Sequence, residues 1–301
     1  MEKEKLRGRI DWITTLIPFV IVLSMMLVFM LIPTQSKLFV DTLRGFFGDT
    51  IGIYYVILGI GSVLVSLYLA FKDKYGQIRL GNVDKPVYSN FAWGTMIFTS
   101  TMAADIMFYS LIEWALYGAE PHVAEMGKMQ LWTPTYPLFH WGPLAWGFYV
   151  VLAISFAFMM HVRKRERQRF SEAVRPLLGN RVDGPLGKLI DIVAVFAMVC
   201  ATATTFSLAT PLLASALASV CGISSNVVLT IGLLLLICAV YTITVLLGMS
   251  GISKLASFCS YMFFALLFYF LFLGGETRYI VETGFQSLGN MVQNFIGLST
   301  Y

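Results

Sequence analysis

The sequence predicts an all-α integral membrane protein, and three observations carry that prediction. Of its 301 residues, 57% are hydrophobic and only 13% are charged, about half the charged share of a soluble domain. Apolar runs of roughly 20 residues, enough to cross a hydrocarbon core, recur along the chain. The basic residues gather in alternate loops between those runs.

Seven membrane helices follow in order. The first, Trp12–Ile32, is too long for a signal-peptide core and has no small-residue cleavage site after it. The second is Ile51–Phe71. The third, Phe91–Tyr117, carries two acids within its apolar and aromatic sequence. The fourth, Tyr136–His161, opens as YPLFHWGPLAWGFYVV, where Pro143 removes a backbone donor and disturbs the turn before it. The fifth, Leu189–Leu217, holds the small-residue stretch CATATTFSLATPLLASALAS, which permits close helix packing, with Pro211 permitting a bend. The sixth, Asn226–Leu247, is continuously apolar, and the seventh is Lys254–Leu273. The remaining segment, Glu276–Tyr301, places apolar residues at helical spacing among polar ones. It is too polar to span and reads as an amphipathic helix on the outer surface.

Orientation follows from charge. All of the 21 Lys+Arg residues except Lys37, Arg44, Lys128 and Arg278 fall on one side of this arrangement. That side is cytoplasmic by the positive-inside rule, which puts the N-terminus inside and the segment after the seventh helix outside. The run RKRERQRF, directly after the fourth helix, is a topology anchor at the membrane surface, not a nucleic-acid site. The organisation expected is a cytoplasmic tail (1–11), two helices with a basic loop (12–90), a five-helix block (91–273) and the outer amphipathic helix (274–301).

Chemistry concentrates in the third and fourth helices. Asp105, Tyr109 and Glu113 are spaced four apart and share one helical face. A charge near mid-membrane costs about 2.5–3.5 kcal/mol even on the gentler insertion scale, so such an acid faces protein or a cavity. The bland alternative is a buried ion pair or a protonated, hydrogen-bonded acid. Trp141, Trp146 and Tyr149 come close together in the fourth helix. They read either as an interfacial aromatic belt or as an aromatic box for a quaternary ammonium, which ring faces attract. Lys254 is either a snorkelling interface lysine or a fixed positive charge that replaces a bound cation or neutralises Asp105. The four cysteines and three histidines form no disulfide frame and no ligand pattern, so neither a metal nor another cofactor is expected. No nucleophile–base pair supports an enzyme.

Four stretches carry a family resemblance: TMAADIMFYSLIEWALY, FHWGPLAWGFY, SFAFMMHVRKRE with RPLLG, and GMSGISKLAS. With them the chain resembles the betaine/choline/carnitine transporters along essentially all its length. The resemblance implies a LeuT-like inverted-repeat transporter of twelve spans, with substrate at the interface of two five-helix repeats. This chain would hold two peripheral helices and the first repeat; the second repeat is absent. The resemblance places Trp141, Trp146 and Tyr149 on the family's aromatic positions and Met102 in an unwound part of the third span. It places Asp105 where betaine-type members have glycine and choline-type members have aspartate. Betaine and carnitine bring their own carboxylate, whereas choline has none for a protein acid to repel. Lys254 falls where the carnitine-exchanger branch has an arginine standing in for sodium.

The expected function is secondary transport of a trimethylammonium compound, choline first, with Asp105, Tyr109, Trp141, Trp146, Tyr149 and Met102 binding it. The coupling ion, proton or sodium, stays open. The alternatives are a carnitine or betaine exchanger with Asp105 paired to Lys254, and a non-transporting quaternary-amine sensor. The resemblance further implies a homotrimer in the inner membrane.

Overall fold

The computed structural model describes residues 11–81, 83–101 and 103–300. The tail bearing Lys3, Lys5, Arg7 and Arg9, together with Met102 and Tyr301, lies outside them. Among the described residues every regular element is a helix. The long ones are α1 (Trp12–Leu31), α2 (Pro33–Gly45), α3 (Gly52–Phe71), α4 (Asn90–Thr101), α5 (Ala103–Gly118), α6 (Met129–His140), α7 (Pro143–Ala157), α8 (Pro185–Cys221), α9 (Val227–Leu246), α10 (Gly248–Phe268) and α11 (Thr277–Gln293). Among the described residues six stretches are long and apolar enough to cross a membrane: Trp12–Leu31, Gly52–Phe71, Met129–Val162, Pro185–Cys221, Val227–Leu246 and Gly248–Leu273. The third expected run is described instead as α4, with 12 residues, and α5, with 16, on either side of Met102.

The chain forms two compact units. The first takes the residues up to Val83 and Trp141–Ala203; the second takes Asp84–His140 and Thr204–Ser299. In the first unit α3 and α7 pack closely. Gly147 is what lets them meet: a Cβ there would stand 2.9 Å from Val63 Cγ2 and 3.1 Å from the Val63 backbone nitrogen. Asp11 caps α1, its Oδ1 accepting from the Thr14 N–H at 3.3 Å, and its other oxygen pairs with Arg169 at 3.0 Å.

The basic loop after α7 is built around buried acids. Glu172 accepts two hydrogen bonds from Arg175, each 2.6 Å. Arg175 also donates to both Asp183 oxygens, at 2.9 and 2.7 Å. Ser171 donates its N–H and its hydroxyl to the two oxygens of buried Asp191 in α8, at 2.8 and 2.9 Å. The anchor read from its charges is thus also a folded, hydrogen-bonded structure.

In the second unit α4 packs on α10, with Phe91 stacked on Tyr261 at 5.1 Å and Phe98 against Phe263 at 5.3 Å between ring centroids. α6 packs on both α5 and α11. Asn290 of α11 donates to Thr135 Oγ1 of α6 at 3.1 Å, and Phe139 meets Phe295 edge-on at 5.8 Å.

Several helix limits differ from those expected. α6 begins at Met129, seven residues before Tyr136, and keeps Pro134 and Pro137 inside it. Each proline removes one backbone donor, a loss a membrane helix tolerates when neighbours cover it. α8 starts at Pro185, the first helical position, where proline's missing N–H has no intrahelical partner to lose. α10 starts at Gly248, so Lys254 lies in its second turn and not at its start. Gly248 has φ +69°, a conformation glycine adopts without strain, and it turns the chain directly out of α9. The last segment is also two helices, Thr277–Gln293 and Phe295–Thr300. Met291 and Ser287 form the buried part of α11, while Tyr279, Phe285 and Val292 are exposed.

Candidate functional site

The face of α5 read from the sequence carries a row of polar contacts. Asp105 lies in α5, three residues after Met102. Thr205, in the second half of α8, donates its hydroxyl to Asp105 Oδ1 at 3.1 Å. From the sequence that helix offered small residues for close packing and a bend at Pro211, with no partner for Asp105. One turn on, Tyr109 is half-buried, its ring 6.4 Å from the His140 ring and 5.2 Å from Phe108. One further turn on, Glu113 is 4% exposed. Its Oε1 lies 2.5 Å from His140 Nδ1, and the Tyr117 hydroxyl lies 3.2 Å from the same nitrogen. Tyr117 in turn stacks on Tyr136 at 5.0 Å.

The expected aromatic set belongs to the first unit, whereas Asp105 and Tyr109 belong to the second. Trp146 and Tyr149, on successive turns of α7, have ring centroids 6.1 Å apart at 53°. Trp146 and Trp141 are half-buried, and Tyr149 is exposed. The HWGP stretch ends α6 at His140 and restarts the helix at Pro143, so Trp141 falls in the turn between α6 and α7. That interruption follows from Pro143 at the first position of α7 and from the extended backbone of Gly142. Lys254 is exposed, and among the described residues it forms no ion pair with Asp105. Met102 lies outside the described residues. No group of three or more His, Cys, Asp or Glu side chains that could hold a metal ion occurs among the described residues.

Long apolar helices with acids set inside them define a multi-pass helical membrane protein. Residues 13–301 match the family model described as BCCT, betaine/carnitine/choline family transporter, and the chain belongs to that family. Its members are transporters, not enzymes. The chain is 32% identical over 249 residues to the probable glycine betaine transporter of Desulfitobacterium hafniense (strain Y51), covering 80% of this chain and 49% of that one. It is 28% identical over 260 residues to the glycine betaine transporter OpuD of Bacillus subtilis (strain 168), covering 85% of this chain and 50% of that one. A carnitine transporter of Acinetobacter baumannii is 24% identical over 243 residues, covering 80% of this chain and 44% of that one. The chain thus spans about half the length of the curated relatives it matches.

Proposed function

We propose that this chain serves secondary transport of a trimethylammonium compound, with choline preferred. The observation that carries the choice of choline is Asp105, a half-buried carboxylate of α5 with one hydroxyl donor from Thr205. A substrate with its own carboxylate would be repelled there, while choline supplies the missing positive charge. Trp141, Trp146 and Tyr149 provide ring faces for the methylated ammonium, and Tyr109 adds a ring one turn from the acid. Met102, between α4 and α5, belongs to the same proposed site.

The architecture that goes with this reading has seven spans, with α4 and α5 in the third. It is a LeuT-like first repeat preceded by two peripheral helices. Half-helix ends near mid-membrane are where such folds hold substrate and ion. The N-terminus lies in the cytoplasm, α11 lies on the outer surface, and the assembled protein is a homotrimer in the inner membrane.

A second reading is favoured by the names of the relatives, which are glycine betaine and carnitine transporters. In an exchanger for those zwitterions, Lys254 would replace sodium and offset Asp105. Asp105→Gly in the full-length protein separates the two. Reconstituted in proteoliposomes, the variant is expected to lose labelled-choline counterflow at least tenfold and to keep or gain betaine counterflow. Choline exchange that survives Asp105→Gly unchanged ends the choline assignment. Binding without any counterflow identifies a sensor.

A further inference from the structure

We propose that Thr205 reads the hydroxyl of the substrate. Its own proton goes to Asp105, and its oxygen accepts from the O–H of choline, so the pair selects a quaternary alcohol over a zwitterion. This rests on the choline reading above and gives that site a second specificity residue.

A threonine inside a helix commonly turns its hydroxyl back onto a carbonyl one turn earlier. α8 has that arrangement on both sides of Thr205. Thr202 donates to the Met198 carbonyl and Ser207 to the Thr204 carbonyl, each at 2.8 Å. Thr205 does otherwise. Its hydroxyl points out of α8 and donates to Asp105 Oδ1 of α5 at 3.1 Å. Both residues belong to the second unit. Both are half-buried, so each keeps a face that a ligand can reach.

The direction of that hydrogen bond decides what the pair can recognise. A hydroxyl has one proton and two lone pairs, and an ionised carboxylate only accepts. The proton between the two oxygens therefore comes from Thr205. With that proton committed, Oγ1 has lone pairs left to offer. Asp105 offers its second oxygen, Oδ2, and a negative charge. The pair thus presents an acceptor beside an anion.

Choline matches both. Its trimethylammonium lies against the carboxylate, and its hydroxyl, two carbons away, donates to Oγ1. Hydrogen bonds then run from the choline hydroxyl to Thr205 and from Thr205 to Asp105, each strengthening the next. A substrate carboxylate in place of that hydroxyl has no proton to give, and it meets a lone pair next to a negative charge. Asp105 selects for positive charge; Thr205 selects for the alcohol at the other end.

The test measures binding to purified full-length protein by equilibrium dialysis, with choline and with n-propyltrimethylammonium. The second ligand has the shape of choline with a methyl group in place of the hydroxyl. Wild type is expected to favour choline at least about tenfold, the result of losing a hydrogen bond that the site is built to make. Thr205→Val keeps the shape of threonine without its oxygen, and is expected to bring the ratio to about one or below. Thr205→Ser is expected to restore it. Loss of the donor to Asp105 touches both cations alike, so the ratio isolates the contact with the substrate hydroxyl. A ratio near one in wild type overturns the proposal without any variant. A ratio that persists in Thr205→Val, or in Thr205→Ala where valine gives no folded protein, overturns it as well. Wild type that binds neither cation ends the choline reading and the proposal with it, whereas equal binding of both leaves that reading standing and ends only the proposal.

Discussion

A quaternary ammonium has no N–H to donate, so its recognition falls to ring faces and to a carboxylate. In the proposed function Trp146 is one such ring, half-buried on α7 and 6.1 Å from Tyr149 between centroids. A desolvated cation–π contact contributes about 2 kcal/mol or more, which corresponds to about 30-fold in affinity. Trp146→Ala in the full-length protein is therefore expected to weaken choline binding about 30-fold, read from tryptophan fluorescence or equilibrium dialysis. Tyr149→Phe keeps the ring and is expected to bind within about threefold of wild type, since the hydroxyl has no part in a ring-face contact. As candidates, Asp105 and the aromatic trio were conspicuous in the sequence because charge in an apolar run, and clustered indoles beside Gly-Pro, are rare patterns. Thr205 and His140 were not. A threonine among small residues and a lone histidine have ordinary packing roles, and their partners are 100 and 27 residues away. Only folding brings such pairs together.

At the scale of elements, apolar run length located the long helices well and their ends less well. The ends depend on local backbone devices that hydropathy does not register. One is Gly248 at φ +69°, which starts α10 six residues before Lys254. Another is the tolerance of α6 for Pro134 and Pro137, which extends that helix back to Met129. The α3–α7 pair gives a test of how closely such elements meet. A Cβ on Gly59 would lie 3.5 Å from Leu144 Cδ2, an ordinary contact, whereas one on Gly147 would lie 2.9 Å from Val63 Cγ2 and 3.3 Å from the Ser62 carbonyl carbon. Gly59→Ala is therefore expected to leave the thermal midpoint in detergent within a degree or two, roughly neutral at a packed surface. Gly147→Ala is expected to destabilise by about 1–3 kcal/mol, the usual result of overpacking. Gly147→Leu has no room and should not give stable protein. Equal effects of the two alanines would remove the close approach of α3 and α7 as the explanation.

For the molecule as a whole, the basic loop does more than fix topology. Arg175 holds Glu172 and Asp183 in two bidentate pairs, and Glu172 also accepts from Arg165 at 3.3 Å. The hydrogen bonds from Arg175 hold both carboxyls below the ordinary carboxylate range, with burial of Glu172 opposing, and the two acids hold the Arg175 guanidinium proton more tightly. Depressed carboxylate values mean that this stabilisation is complete above the ordinary carboxylate range. It is lost as pH falls through the lower values of the folded state. The Glu172 and Arg175 side chains are 5% and 11% exposed, so screening weakens their attraction little. Removing one member of a buried pair costs about 3–5 kcal/mol when the other is left uncompensated; here Arg165 still donates to Glu172 and lowers that cost. Arg175→Ala is accordingly expected to lower the thermal midpoint clearly at neutral pH, and Arg175→Lys to lower it nearly as far, since lysine cannot serve two carboxylates with planar pairs of donors. From about pH 5 downward the wild type should lose stability toward the variant's level, while Arg175→Ala should change less over the same interval. Parallel decline of the two proteins with acidification would mean that the acid sensitivity comes from other carboxylates and that the loop is held by its packing, with Phe170 against Phe156.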